Sequence, residues 1–378
     1  MYHRNLQPLL SPVRMGDLDL RNRIVMAPLT RMRADNAAHA PTELHARYYG
    51  QRASAGLIVG ECTAISPAGY GWADTPGLWS AEQVLGWRGV TDAVHERGSH
   101  IFSQLWHTGA LSHPDFFGGA LPMSASDVDP IQLSVTPSGR KPTVAPRPMT
   151  RDEIRQTVAD FAQAARNAIE AGFDGVQIQA NYLYLIAQFF NKTTNRRTDE
   201  YGGPIENRAR FFFEILEAVL EHVPANRVGV KTGPMNVDGA FVANDETLPI
   251  SEYVIGRLND YDLSHLLLMG ATTDFSDTPL AALAGDGMFR HFRRLYRGPL
   301  IANTEINRER GNCLIEEGFA DMVAFGRPYI ANPDLPERFA SGAPLAEVDW
   351  NTVYASGPAG YTDYPALEPA PLLSAINL

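Results

Sequence analysis

The chain is poor in cysteine, short of positive charge and without a long apolar run. Only Cys62 and Cys313 occur among 378 residues. Neither has a metal-like spacing to other ligands. No disulfide framework and no metal site is expected, and a reducing, cytoplasmic setting is. Lys and Arg total 32 against 43 Asp and Glu, a formal net charge of −11. A chain this acidic is not suited to nucleic acid or an anionic membrane surface. No segment approaches the roughly 20 apolar residues that a bilayer span needs. The stretch MYHRNLQPLLSPVRMG has no apolar run fit for a signal peptide. A Gly-rich dinucleotide fingerprint is also missing. Met26-Ala27-Pro28-Leu29-Thr30 follows the first apolar run, which argues against an open doubly wound sheet.

What is present is an apolar content of 44%, enough for a large core. It falls into short continuous runs at residues 23–27, 57–60, 101–105, 175–178, 227–232, 263–269, 299–302 and 321–325. Continuous rather than alternating apolar runs are the pattern of strands buried on both faces. Helix-period segments follow most of them, at 42–54, 81–97, 151–171, 205–222, 250–259 and 307–317. Strands alternating with helices pair in parallel through crossovers. Eight such units predict an α/β fold, a single (β/α)8 TIM barrel over residues 1–378. Three stretches stand outside the repeat. Residues 11–22 read as a hairpin closing the barrel bottom. Residues 108–147 are long and rich in Pro, Gly and Ser, and read as a lid after the third strand. Residues 351–378 read as an extended C-terminal arm carrying Tyr354, Tyr361 and Tyr364.

Several segments occur in the order found in one family. They are NRIVMAPLTRMR at 22–33, LIVGECTAISPAGYG at 57–71, QLWHTGALSHP at 104–114, the block around TNRRTDEYGG from 194, FGRPYIANPDL at 325–335 and GYTDYP at 360–365. Together they closely resemble the old yellow enzymes, the FMN-dependent ene-reductases. The resemblance implies FMN across the C-terminal mouth of the barrel and NAD(P)H as a transient hydride donor. It implies a small-molecule partner, an α,β-unsaturated carbonyl compound. Hydride goes to the β-carbon, and a tyrosine protonates the α-carbon. Members occur as monomers and as homo-oligomers.

The resemblance assigns Ala27, Pro28, Leu29, Thr30 and Cys62 to the flavin ring. Gln104 follows, and a buried amide can offer both a donor and an acceptor to a pyrimidine edge. Lys231 stands near flavin N1 where the family has Arg, keeping the charge but losing the fork. Asn303, Thr304, Glu305, Gly326 and Arg327 fall at the phosphate. Trp72, Trp106 and Tyr354 fall in the substrate pocket, and Tyr184 aligns with the proton donor. Each has a plainer structural reading, as a cap, a core side chain or a surface ion pair.

The chain departs from the family at the mouth. The carbonyl anchor, a His with a His or Asn three residues on, is Gln179 and Tyr182 here. Losing one such donor typically costs about 3 kcal/mol of transition-state stabilisation. Leu183 and Ala110 replace a usual Gly and Arg. Thr304 stands where a flexible residue is usual, and a β-branched residue resists positive φ. Glu305 brings negative charge toward a dianion. These departures leave three readings open. One is an FMN-dependent oxidoreductase with an atypical Gln/Tyr anchor. The others are a flavin-independent isomerase, cyclase or dehydratase on the same fold, and a non-catalytic binding protein.

Overall fold

Runs of Val, Ile and Leu with no polar alternation demand cover on both faces. The computed structural model, which describes residues 7–234, 238–270 and 274–367, provides that cover. The strands are β1 Ile24–Met26, β2 Leu57–Ala64, β3 Ile101–Trp106, β4 Gly175–Gln179, β5 Val228–Thr232, β6 His265–Met269, β7 Leu300–Asn303 and β8 Met322–Phe325. They pair in parallel and close on themselves, β8 against β1, as a (β/α)8 barrel. The predicted fold class is therefore the observed one.

Helices α1 Glu43–Gln51, α2 Ala81–His95, α3 Arg151–Glu170, α4 Leu185–Phe190, α5 Ile205–Leu220, α6 Thr247–Arg257, α7 Gly287–Leu295 and α8 Arg308–Glu316 lie on the connections. Two short helices, α9 Arg327–Ala331 and α10 Leu335–Ser341, follow β8. Capping boxes start α2 at Ser80 with Gln83 and α3 at Thr150 with Glu153. Each such cap contributes about 1 kcal/mol.

The apolar interior of the barrel joins Val25, Leu57, Val59, Phe102, Leu267, Ile301 and Met322 to Met15, Leu18 and Leu20. The last three belong to an antiparallel hairpin, Val13–Met15 with Leu18–Leu20. Gly16 turns it at φ +58°, where an added Cβ would sit 2.2 Å from the Asn226 carbonyl oxygen. The hairpin thus plugs the bottom and leaves the C-terminal mouth for a site.

Several details differ from the sequence expectation. Strand β2 runs on to Ala64, because a bulge between Val59 and Cys62 lets Cys62, Thr63 and Ala64 pair with β3. Helices α4, α7, α9 and α10 were not anticipated. Helix α7 opens on Gly287 behind a Gly-Asp-Gly turn signal and buries Met288, Phe289 and Phe292.

The stretch after β3 carries its own structure. Met123–Ser124 pairs with Arg147–Pro148, and Leu133–Thr136 with Gly139–Pro142. Residues 351–367 are a run of turns rather than an extended arm. Residues 368–378 of that expected arm lie outside the described residues.

Candidate active site

Barrel register aligns polar residues at the mouth. Gln179 on β4 partners Lys231 on β5, Met269 on β6 partners Asn303 on β7, and Phe325 on β8 partners Met26 on β1. Two adjoining cavities open above them. The first, about 480 Å3, is lined by Ala27, Asn303, Thr304, Glu305, Gly326 and their neighbours. The second, about 420 Å3, is lined by Thr30, Cys62, Gln104, Trp72, Gln179, Tyr182, Tyr184 and Tyr354 among others. Pro28, Leu29, Lys231, Met269 and Arg327 belong to both, so the two form one elongated cleft.

The first cavity has the features of an anion site. Thr304 and Glu305 sit at φ +94° and +51°. The left-handed turn is present although neither residue is glycine, contrary to the resistance expected of Thr304. Such a turn points successive backbone N–H groups at one spot. Holding two non-glycine residues there costs about 1–3 kcal/mol each. The Glu305 side chain is 67% exposed and lies 3.8 Å from Arg327, which is 74% exposed. It faces solvent at the rim, so the repulsion expected of it is largely screened. Asn303 spends its amide on the Ala324 carbonyl at 2.9 Å and braces β7 to β8. Gly326 lines the floor beside Arg327, against Leu29 and Ala27.

Lys231 is buried at the junction of the cavities. Its ammonium has no ion-pair or hydrogen-bond partner among the described residues, and burial holds it below the usual lysine range. A buried cation without a partner calls for an electron-rich occupant.

The second cavity is walled by aromatic rings and offers donors. The Gln179 oxygen accepts from the Asn181 backbone N–H at 3.0 Å, leaving its amide nitrogen for the cleft. Tyr182, held at φ +59°, stands with its ring 5.3 Å from that of Tyr184. Burial raises the pKa of both phenols, so both keep their protons at neutral pH. Trp72 packs on Tyr354 with ring centroids 5.7 Å apart. Trp106 does not reach the cleft. It is fully buried and packs edge-on behind Tyr184, with centroids 5.3 Å apart. Every other residue assigned to cofactor, substrate or proton transfer lines one cavity or both, whereas Ala110 and Leu183 line neither.

Sequence reasoning missed the residues that hold this wall. Gln188 on α4 accepts from Ala110 N and Ser124 Oγ, and donates to the Thr108 and Leu183 carbonyls. It ties the base of the 108–147 stretch to the Tyr182–Tyr184 turn. Arg31 and Arg33, just past the Thr30 segment, are buried and donate to carbonyls of the C-terminal turns. Arg31 reaches Val353 and Gly360, and Arg33 reaches Thr352, Val353, Gly357 and Ala359. Those turns bring Val353 and Tyr354 to the cleft. The only sequence signal was two arginines directly after a barrel strand.

The geometry fits FMN. The left-handed turn with Gly326 and Arg327 suits its phosphate, and Lys231 with Gln104 suits the pyrimidine edge. Among the described residues no cluster of His, Cys, Asp and Glu could hold a metal, and no helix is long and apolar enough to cross a membrane.

Comparisons agree with this reading. The sequence model of the NADH:flavin oxidoreductase / NADH oxidase family matches residues 8–346. The chain is similar to 12-oxophytodienoate reductase 1 of Oryza sativa subsp. japonica, 41% identical over 96% of this chain and 93% of the relative. It is similar to 12-oxophytodienoate reductase 2 of Arabidopsis thaliana, 37% identical over 96% of each chain. Among solved structures, the old yellow enzyme homologue from Zymomonas mobilis matches with a TM-score of 0.88 and 40% identity, over 95% of this chain and 99% of that one. Morphinone reductase matches with a TM-score of 0.89 and 40% identity, over 96% and 97%.

Proposed function

Because the chain belongs to the NADH:flavin oxidoreductase / NADH oxidase family, we propose that it reduces an electron-poor alkene whose acceptor oxygen is held by Gln179 and Tyr182. The enzyme is an NAD(P)H-dependent oxidoreductase of the ene-reductase type, with FMN as its cofactor. FMN, when bound, supplies the hydride that it has taken from the nicotinamide.

The observation that carries the substrate reading is a convergence of donors. The Gln179 amide nitrogen and the Tyr182 and Tyr184 hydroxyls have no partner among the described residues and line one cavity. Among the described residues no Asp or Glu lines it. Such a pocket fits a carbonyl or similar acceptor on an otherwise apolar molecule, with aromatic walls to exclude water. Gln179 and Tyr182 hold the oxygen as negative charge develops on it. Tyr184 delivers its phenolic proton to the α-carbon and recovers one from solvent. The 108–147 stretch acts as a lid over this pocket, with Trp72 joined to Val135 by a backbone bridge. A cytoplasmic enzyme fits these properties.

The test is Tyr184→Phe in single-turnover kinetics. Flavin reduction by NAD(P)H should stay within about twofold, while alkene reduction falls about a hundredfold or more, the usual worth of a positioned acid. Equal alkene reduction would remove Tyr184 from the chemistry.

A further inference from the structure

The barrel interior carries one polar level in an otherwise apolar stack. Cys62, Gln104, Gln177, Gly229 and His265 are successive register partners across β2 to β6. Their side chains form a continuous hydrogen-bonded chain. Cys62 Sγ donates to Gln104 Oε1 at 3.0 Å. Gln104 Nε2 donates to Gln177 Oε1 at 2.6 Å. Gln177 Nε2 lies 2.8 Å from His265 Nε2, and His265 Nδ1 lies 2.9 Å from Ser264 Oγ. Gly229 makes the crossing feasible, because a Cβ there would stand 2.2 Å from His265 Cε1. Without glycine on β5 the imidazole could not pass under that strand to reach β4.

Filling this level with aliphatic side chains would bury no polar atom and need no partners. The polar chain is therefore not explained by core packing. Only two members, Cys62 and Gln104, line the cleft. Every member but Cys62 is fully buried.

We infer that Gln177 and His265 are positioning residues that set which way round the Gln104 amide stands, and so which hydrogen-bonding groups the cleft presents to the flavin pyrimidine edge. The inference rests on FMN occupying this mouth. A carboxamide has nearly the same shape either way round, so packing alone does not choose between its oxygen and its nitrogen. Hydrogen bonds do. Burial pushes the Cys62 thiol up to about 12, so it remains S–H and donates. That places the Gln104 oxygen toward Cys62 and the nitrogen toward Gln177. The Gln177 oxygen is then taken, and its nitrogen must donate onward. His265 Nε2 accepts, which puts the imidazole proton on Nδ1, facing Ser264. Burial holds His265 down to about 3, so the ring is neutral and has one acceptor to give. Every link has one polarity. The reversed chain would turn every link round, with the thiol accepting an amide N–H and His265 carrying its proton on Nε2, so the His265 tautomer distinguishes the two. One Gln104 N–H and one lone pair of its oxygen are left unused by the chain, each on a fixed side.

Two measurements test this. The first is nitrogen NMR of the wild-type protein. His265 should be neutral with its proton on Nδ1, and a ring protonated on Nε2 would overturn the assigned polarity. The second compares Gln177 variants by FMN titration of the FMN-free protein and by the potential of the bound flavin. Gln177→Leu removes both bonds at similar volume. It should raise the FMN dissociation constant about fivefold to tenfold and shift both the potential and the absorption envelope. Gln177→Glu still accepts from Gln104, and it accepts from His265 in its other tautomer. It should restore affinity to within about twofold of wild type. A purely structural role would lower the Tm of Gln177→Leu and leave affinity, potential and spectrum alone, which would overturn the proposal. If Gln177→Leu does not fold, His265→Phe keeps the ring beside Phe102. It should show a smaller change of the same sign, and an unchanged FMN affinity would count against the relay. If the wild-type chain takes up no FMN, the function reading fails. The His265 tautomer in the FMN-free protein then decides the relay by itself.

Discussion

At the scale of the residue, the informative positions are those where a local rule is broken and the geometry survives. Thr304 and Glu305 keep the left-handed backbone that glycine would adopt freely. Strain of this kind persists where surrounding structure and function hold it. Glu305→Gly should relieve it and stabilise the FMN-free protein by about 1 kcal/mol, a rise of a few degrees in Tm. Because the carboxylate is solvent-facing, FMN affinity should tighten by no more than about threefold at ordinary salt. A fall in Tm would mean that the Glu305 side chain contributes contacts that outweigh the strain. A much larger gain in affinity would mean that it faces the phosphate in solution.

Glu61 is the other unusual residue. Its carboxylate accepts from the Arg31 backbone N–H at 3.2 Å and from the Tyr49 hydroxyl at 3.3 Å. Burial nonetheless lifts its pKa from 4.5 to about 7. A native acid with a raised pKa keeps a proton that the unfolded chain has already released. Its contribution is therefore present at low pH and is lost as pH rises through about 7. Wild type should lose on the order of 3 kcal/mol relative to Glu61→Gln between about pH 4.5 and about pH 7. Denaturant unfolding of both proteins across that range measures the difference. A constant difference would show that the neighbouring donors keep Glu61 ionised throughout.

At the scale of the element, the C-terminal turns behave as a strap. Tyr361 stacks on Tyr48 with centroids 3.9 Å apart, and Arg52 lies 3.8 Å over the same ring. Bonds from a charged guanidinium to carbonyls are worth about 1.5–3 kcal/mol each, so Arg31 and Arg33 fasten the strap firmly. Arg33→Met keeps much of the side-chain volume and removes its five carbonyl bonds, to Arg31, Thr352, Val353, Gly357 and Ala359. The strap brings Val353 and Tyr354 to the substrate cavity but adds nothing to the phosphate turn. Arg33→Met should therefore raise the alkene KM about tenfold or more while changing FMN affinity much less. A larger loss of FMN than of substrate binding would show that the strap supports the whole mouth.

At the scale of the whole molecule, the barrel was legible because its strands are continuous apolar runs, which admit few other readings. The cleft was legible through segments that resemble a known family in order. What stayed hidden depends on distant partners. Arg31 and Arg33 look like surface charge, since the carbonyls that capture them lie some 320 positions later. Gln177 and His265 look like ordinary strand residues, since their pairing depends on closure and on Gly229 leaving space. Helix α7 was hidden because it opens directly on a Gly285-Asp286-Gly287 turn signal. Trp106 was expected at the substrate and lies one layer behind it, because sequence adjacency to Gln104 does not say which face a strand-end side chain takes.

The mouth should still hold FMN despite Thr304, Glu305 and Lys231. The most direct test is titration of the FMN-free chain with FMN, followed by flavin absorption and thermal unfolding. The account predicts stoichiometric uptake that survives removal of excess FMN, with Tm raised by a few degrees. A chain that stays colourless, with its unfolding unmoved by FMN, would contradict it.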